Sequence, residues 1–321
     1  MLDIKWIREN PESLDKALQR RGAQPLSTQV LALDSERRAY QTQIQELQNE
    51  RNTLARVIGE AKQQGLEPTE KISRANQIKE LLPQLEHQEQ EVALNLTNTL
   101  GMIPNILFDE VPDGKDDSDN VAIRHWGDPS SFNFTPKRHF EVGEALGLMD
   151  FKTAAKMSGA RFVVLKGDLA RLERALGQFM LDLHSREHGY QEVSPPLLVR
   201  DEALFGTAQL PKMRGEQFLT TDGLWLIPTS EVSLTNLIRE EILEESALPL
   251  RYAAYTPCFR SEAGAAGKDT RGMIRQHQFY KVELVSSTLP ENSKEEHERM
   301  TKCAEEVLKR LKLPYRVMML C

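Results

Sequence analysis

FRSEAGAAGKDTRGMIRQHQFYKVE, from Phe259 to Glu283, has two strand-like ends around a glycine-rich, basic middle. Residues two apart on a strand point to the same face. Arg260 and Glu262 therefore share a face, as do Phe279 with Lys281 and Lys281 with Glu283. Between them, AGAAGKDTRG reads as a loop carrying Lys268 and Arg271. One sheet face would then offer a guanidinium, two carboxylates and a phenyl ring beside a basic loop. A guanidinium is a planar fork suited to phosphate or carboxylate. A phenyl ring can stack on a base. A carboxylate can receive an ammonium group or an adenine amino group. ATP with an amino acid would suit this set. An exposed sheet face held by cross-strand ion pairs would show the same residue types, and the residues by themselves leave both readings open.

Working outward, the flanking sequence supplies strands and helices in alternation. ARFVVLKG (160–167) reads as a buried strand. DLARLERALGQFMLDLHSREHG (168–189) has helical spacing, with Leu172, Leu176, Phe179 and Leu183 on one face. YQEVSPPLLVR (190–200) reads as a strand ending at Pro195-Pro196. GEQFLTTDGLWLIPTS (215–230) reads as two strands around Asp222-Gly223, a hairpin signal. SEVSLTNLIREEILEES (230–246) reads as helical, and the segments around 250–262 and 272–287 as strands. Strands joined by hairpins, with helices between, predict an α+β region built on a largely antiparallel sheet. Neither a P-loop nor a dinucleotide fingerprint occurs, so a nucleotide would have to bind by another route.

The first hundred residues follow a different pattern. Val30, Leu33, Arg37, Tyr40, Ile44, Leu47, Arg51, Leu54, Ile58 and Ala61 alternate by three and four, a heptad seam interrupted by two arginines. Gly65 and Pro68 break it, and Ile78, Leu82, Leu85, Glu89, Val92 and Leu96 resume it. Two seams joined by a short break predict a long antiparallel helical hairpin over about 27–100, with arms of roughly 50 Å. Pro83 lies inside the returning arm, where a kink or a frayed turn is expected. Outer positions carry Arg38, Arg56, Lys62, Lys71, Arg74 and Lys79, either as a solvated face or as a rod that lies along phosphates. Before the hairpin, Asn10-Pro11-Glu12 starts a helix that Gly22 ends. After it, residues 101–120 are rich in Pro, Gly and Asp and read as a linker.

Composition narrows the functional classes. The chain has 321 residues, 40% hydrophobic and 28% charged, with net charge −7. Nucleic acid would have to be bound by local basic patches. No run is long and apolar enough to suggest a membrane span, and the charged start does not read as a secretory signal. Cys258, Cys303 and Cys321 have neither metal nor disulfide spacing, which fits a reducing cytoplasmic setting. Cys258 reads as a buried structural thiol and His277 as support for its strand. His184 and His188 are four apart on a helix but lack a third ligand, and read as surface histidines.

FRSEAGAAGKDTRGMIRQHQFYKVE resembles the second signature motif of class II aminoacyl-tRNA synthetases, and more closely that of the seryl-tRNA synthetases. Thr229-Ser230-Glu231 is similar to that family's serine-binding triplet, and YQEVSPPLLVR to its first motif, a dimer-interface element. MLDIKWIRENPESLDKALQRRG, the hairpin and GMIPNILFDEVPDG resemble its N-terminal region. The likeness runs in order along essentially the whole chain. It implies an N-terminal tRNA-binding domain over 1–110 and a partial catalytic domain over 111–321.

At matching positions the resemblance implies that Arg260 binds the ATP α-phosphate and the serine carboxylate, and that Glu262 holds the adenine amino group, these two being the catalytic pair. Phe279 stacks on adenine, Arg275 contacts phosphates, and Ser261 lies in the ATP site. Thr229, Ser230, Glu231, Glu283 and Arg260 line the serine pocket. It further implies seryl-adenylate formation and transfer to tRNA(Ser) and, where an organism has one, tRNA(Sec), with Mg2+ sharing the charge, a homodimer, and a hairpin that reaches the tRNA through the six basic residues above. The family's third motif, which supplies metal contacts, would follow Cys321, so no metal ligands are expected within this chain. LPYRVMMLC, with its apolar ending, is expected to leave an unpaired run, as a fragment would. A proline or threonine ligase and a non-catalytic tRNA-binding relative are the alternative readings.

Overall fold

The computed structural model describes all residues except Ala266, Lys268 and Thr270. Lys268, expected to flank the site, lies outside the described residues. The chain divides into two compact units, Met1–Val121 with Met319–Cys321, and Ala122–Met318.

The first unit begins with short helices α1 (Ile4–Glu9) and α2 (Pro11–Arg20), followed by α3 (Ser27–Gln63) and α4 (Thr69–Met102). Proline at the first position of α2 suits a helix start, and Gly22 at φ +68° ends it as expected. Asp15 of α2 caps α3: its carboxylate accepts from the N–H of Leu26 and Ser27 at 2.9 and 3.0 Å. The hairpin forms as its heptads predict. Every expected seam position except Arg51 is at least partly sheltered, and Ile78, Leu82, Leu85 and Leu96 are buried. With 37 residues, α3 is about 55 Å long. The frayed turn, one of the two outcomes expected at Pro83, does not form, because α4 continues as helix through it. Proline removes one backbone hydrogen bond, but Leu82 and Leu85, buried on either side, keep the backbone in register.

At the base of the hairpin, Ile7, Leu14, Leu18, Val30, Leu96, Leu100 and Ile103 form a core. Asp34, 2% exposed, receives Arg8 in a two-pronged pair at 2.7 and 2.9 Å and Arg37 at 3.2 Å. These bonds tie α1 to α3. The linker is pinned by Arg20, which donates to the Asp113 carboxylate at 2.7 Å and to the Val111 carbonyl at 2.6 Å.

From Val121 onward the chain forms, in order, β1 (Val121–Trp126), α5 (His139–Ala145), β2 (Met149–Asp150), α6 (Phe151–Ser158), β3 (Val164–Leu165) and α7 (Gly167–Arg186). Next come β4 (Gln191–Glu192), β5 (Leu198–Val199), α8 (Asp201–Gly206), β6 (Phe218–Leu219), β7 (Trp225–Leu226) and α9 (Glu231–Thr235). It ends with β8 (Leu250–Phe259), β9 (Gln278–Ser287), α10 (Ser293–Arg310) and β10 (Tyr315–Met319). The central sheet has the order β4-β8-β9. β8 and β9 pair antiparallel over ten residues each, and β4 runs parallel to β8. Helix α7 packs on one face. A Cβ at Gly177 would lie 2.4 Å from the Tyr255 ring, so glycine is what lets helix and sheet approach. Tyr190, Ala253 and Cys303 form a second core on that side.

Several elements are shorter than the sequence suggests. In 160–167 only Val164–Leu165 is strand, because Gly159 and Arg161 at φ +89° and +62° turn the chain. The segment 230–246 is helical only through Thr235, followed by a 3-10 turn at Asn236–Ile238. Glu240 with Glu244, and Glu241 with Glu245, would repel at helical spacing, and Asn236 donates back to the Val232 carbonyl at 2.8 Å. Leu172 stays 51% exposed, because it lies off the sheltered face of α7, which runs through Leu169, Leu176 and Leu183. The MMLC run is paired in part: Met318 and Met319 belong to β10, which pairs with β1, whereas Leu320 lies beyond the strand and is 66% exposed. The hairpin at Asp222-Gly223 forms as expected, with Gly223 at φ +84° and Phe218 opposite Leu226.

The Arg8 and Arg37 pairs hold the Asp34 carboxyl below its ordinary 3.8. A depressed carboxyl contributes stability that is complete above the ordinary value and is lost as pH falls through the depressed one. Asp34→Asn is therefore expected to destabilise the chain at pH 7 by about 2 kcal/mol, discounted because Arg8 is part-exposed. Urea unfolding as a function of pH checks this. The difference between the two proteins should shrink below pH 3.8, and a pH-independent difference would contradict the ion-pair account.

Candidate active site

The sheet face opposite α7 carries Ala254, Thr256 and Cys258 from β8. Their partners across the ladder are Glu283, Lys281 and Phe279 of β9. The β8 row is small and buried, and it forms a floor. The β9 row is long or aromatic and stands on it. Arg260 lies one step past β8 and extends the ladder: its N–H donates to the His277 carbonyl at 3.0 Å. His277 returns the bond, its Nδ1–H donating to the Arg260 carbonyl at 2.9 Å. The supporting role read for His277 is therefore what it performs.

Arg260 and Phe279 come together, with the guanidinium 5.2 Å from the ring centroid. The Arg260 Nε donates to the Pro228 carbonyl at 3.3 Å, which ties the motif to the segment entering Thr229. Thr229 is buried, and its hydroxyl donates to the Glu283 carboxylate. Lys281 donates to the Thr229 hydroxyl at 3.0 Å and also forms a close ion pair with Glu283. Ser230 is fully buried, and its hydroxyl has no partner among the described residues. Glu231 opens α9 and is exposed at the rim, yet its carboxyl is pushed up, first by the protein packed around it and then by the Glu283 charge.

Glu262 corrects the strand argument. β8 ends at Phe259, and Glu262 sits at φ +49°, a conformation that costs a non-glycine residue about 1 kcal/mol. It reaches the site through a turn rather than by strand alternation. That turn is stapled by Glu216. The Glu216 carboxylate accepts from the N–H of Ala263 and Gly264 at 3.0 and 2.8 Å, and its carbonyl from Ser261 N–H at 2.9 Å. The Ser261 hydroxyl donates to the Gly215 carbonyl at 2.6 Å. Arg275 pairs with Asp269 at 3.1 Å and with Glu262 at 3.3 Å. Arg260, Glu262, Arg275 and Phe279 thus occupy one neighbourhood, as do Thr229, Lys281 and Glu283. Sequence reasoning missed Glu216, which acts across more than forty residues and carries no local signal.

Of the basic residues on the hairpin, Arg74 makes a two-pronged pair with Glu50 on the facing helix, at 2.7 and 2.9 Å. Arg38, Arg56, Lys62, Lys71 and Lys79 are exposed, and no ion pair engages them among the described residues. His184 is not on the surface. It is 3% exposed, its Nδ1 lies 2.9 Å from that of His188, and its pKa is pushed down to about 4, first by burial and then by the His188 charge. Among the described residues no group of three or more His, Cys, Asp or Glu is placed to hold a metal ion. Cys258 is buried, and its thiol is pushed up by that burial, as a structural cysteine requires.

Known proteins resemble this chain in sequence and in fold along its length. Residues 1–107 match the model of the seryl-tRNA synthetase N-terminal domain, and residues 217–321 match that of the tRNA synthetase class II core domain (G, H, P, S and T). The serine–tRNA ligase of Brucella canis is 60% identical over 323 residues, which cover all of this chain and 76% of that protein. The chain belongs to the seryl-tRNA synthetase family. Solved seryl-tRNA synthetases share its fold. That of Pyrococcus horikoshii, complexed with ATP, superposes with a TM-score of 0.88 at 37% identity, covering 99% of this chain and 76% of that one. The cytoplasmic enzyme of Naegleria fowleri, in complex with AMP, gives 0.82 at 28% identity, covering 99% and 74%. Like those seryl-tRNA synthetases, the chain joins a long N-terminal helix pair to a class II core.

Glu216→Ala is expected to free the turn after β8. Amide exchange at Ala263 and Gly264 should accelerate about tenfold, the equivalent of one net hydrogen bond. Unchanged exchange at both amides would show that the staple does not hold the turn.

Proposed function

We propose that this chain carries the serine-activating and tRNA-binding parts of a serine–tRNA ligase. The observation that carries the reading is the joining, on one sheet face, of the Arg260–Phe279 pair with the Thr229–Lys281–Glu283 cluster. Adenine would stack on Phe279, its amino group directed to Glu262, with Ser261 in the turn beneath. Arg260 would hold the α-phosphate and the serine carboxylate, and Arg275 would turn from Asp269 toward the outer phosphates. Glu231 and Glu283 would receive the serine ammonium, with Thr229 and the buried Ser230 shaping the pocket around the hydroxymethyl group.

The serine carboxylate attacks the α-phosphorus of ATP. A carboxyl–phosphate bond forms, the bond to pyrophosphate breaks, and the electron pair leaves with pyrophosphate. The terminal ribose hydroxyl of tRNA(Ser), or of tRNA(Sec) where one exists, then attacks the acyl carbon and AMP departs. No side-chain nucleophile is needed, since the protein positions the reactants and offsets charge. Among the described residues no group of three or more His, Cys, Asp or Glu converges on one point, so any magnesium in this reading relies on the nucleotide for most of its ligands. Mg2+ would enter on the phosphate oxygens of the nucleotide.

Residues 1–110 form the tRNA-binding part and 111–321 the catalytic part of this proposal. The hairpin's exposed basic residues, Arg38, Arg56, Lys62, Lys71 and Lys79, would meet tRNA phosphates, and Arg74 would do so beside its bond to Glu50. The family likeness of Tyr190–Arg200 supports a homodimer, and that of the whole chain a cytoplasmic location. Among the described residues no helix is long and apolar enough to cross a membrane.

ATP–pyrophosphate exchange with serine, threonine and proline tests the reading, run on the product of the full reading frame that encodes this chain. Exchange with serine alone is expected, and exchange with another of the three, or with none, would overturn it. Arg260→Ala should abolish exchange while leaving tRNA binding within about twofold, because the phosphate contacts assigned to the hairpin involve other residues. Because the Glu231 carboxyl is pushed up, it should protonate above the ordinary glutamate value of 4.5 and lose its hold on the serine ammonium. KM for serine should therefore rise as pH falls, starting above 4.5, and a flat KM would argue against Glu231 as a ligand. Replacing residues 30–97 by a short linker should spare exchange and ruin tRNA charging, and normal charging would refute the role given to the hairpin.

A further inference from the structure

Helix α5 lies outside every motif considered so far, yet it grips the segment that leads from the loop into β9. The Nε2 of His139 accepts a hydrogen bond from the N–H of Met273 at 2.8 Å. That bond fixes the imidazole as the tautomer protonated at Nδ1. The approach is so close that a Cβ at Gly272 would lie 2.4 Å from His139 Nε2, and Gly272 stands at φ +88°. One residue earlier, the Arg271 guanidinium lies 4.6 Å from the centre of the Phe140 ring, and it also pairs with Glu144 at 3.8 Å. Three consecutive residues, Arg271, Gly272 and Met273, are thus held by the first two turns of α5.

The helix is built to be a fixed anchor. Its first turn is closed by Glu141, whose carboxylate accepts from the Arg138 N–H at 2.7 Å. Phe140 is 4% exposed. At Gly143 a Cβ would lie 2.7 Å from Met149, so α5 is seated tightly on β2. Two residues beyond Met273 comes Arg275, which spans Asp269 and Glu262. Two residues further, His277 locks to Arg260. The grip on Met273 therefore sets where Arg275 stands relative to Glu262.

We infer that His139 is a positioning residue for nucleotide binding: by accepting from the Met273 N–H, it aligns Arg275 with Glu262 for the phosphates and base of ATP. This deepens the serine–tRNA ligase reading and rests on it for its nucleotide. The serine pocket is built from Thr229, Glu231 and Glu283, and the hydrogen bonds of Thr229 run to Glu283 and Lys281 of β9.

Two variants separate this role from a merely structural one. His139→Leu removes the acceptor, whereas His139→Gln returns an oxygen that can accept. In ATP–pyrophosphate exchange on the full protein, His139→Leu should raise KM for ATP about tenfold, one net hydrogen bond's worth, and leave KM for serine within about twofold. His139→Gln should recover most of that loss. Hydrogen exchange at the Met273 amide should accelerate in the Leu variant and return toward wild type in the Gln variant. Equal behaviour of the two variants, a fall in kcat with both KM values unchanged, or an unaltered Met273 amide would overturn the inference. A wild-type protein inert toward serine would sink the ligase reading instead, and the Met273 amide would still decide whether His139 holds the segment.

Discussion

The ten-residue register between β8 and β9 is the constraint on which the site depends. It sets Ala254 against Glu283, Thr256 against Lys281 and Cys258 against Phe279. A slip of one residue would turn the β9 row toward α7 and bring the Tyr280 side of the strand to the site. The register is enforced from both faces. On one, Gly177 admits the Tyr255 ring against α7. On the other, the Thr229 and Lys281 bonds close over Glu283. Past the end of β8, the reciprocal bonds of Arg260 and His277 carry it one pair further, which is why Arg260 arrives beside Phe279.

Charge within the site follows from that geometry. Glu283 is held by Lys281 and Thr229, and Glu262 is held by Arg275. Each carboxylate thus has a cation beside it, and a substrate that brings its own ammonium or phosphates would redistribute these pairs. Glu231 forms no ion pair among the described residues, and burial followed by the Glu283 charge pushes its carboxyl up against the more distant Lys281 and Arg260. An arriving ammonium gains most from a carboxylate left in this state, because nothing has to be displaced to meet it.

Much of this could be read from the sequence because the relevant signals are periodic or local. The heptad seam gave the hairpin from Val30 to Ala61 and back, and the alternation of the Phe279 to Glu283 segment gave the face of β9. Asp222-Gly223 marked its hairpin by turn chemistry alone. What the sequence did not reveal arises from contacts between distant segments. Glu216 holds the Glu262 turn and His139 holds Met273, and neither residue lies in a pattern that points to its partner. Glu262 reached the site even though the strand ended before it, through a backbone conformation that alternation cannot express. Pro83 and the acidic run after Thr235 show propensity overridden in one place and enforced in the other. Buried leucines carried the helix through a proline, whereas exposed glutamates had nothing to hold their helix together.

The most direct test is a crystal structure of this chain with a non-hydrolysable seryl-adenylate analogue in which a sulfamoyl group replaces the phosphate. The account predicts adenine stacked on Phe279, the sulfamoyl group on the Arg260 guanidinium, and the seryl ammonium between Glu231 and Glu283. An analogue bound elsewhere, or bound with its ammonium away from both carboxylates, would contradict it.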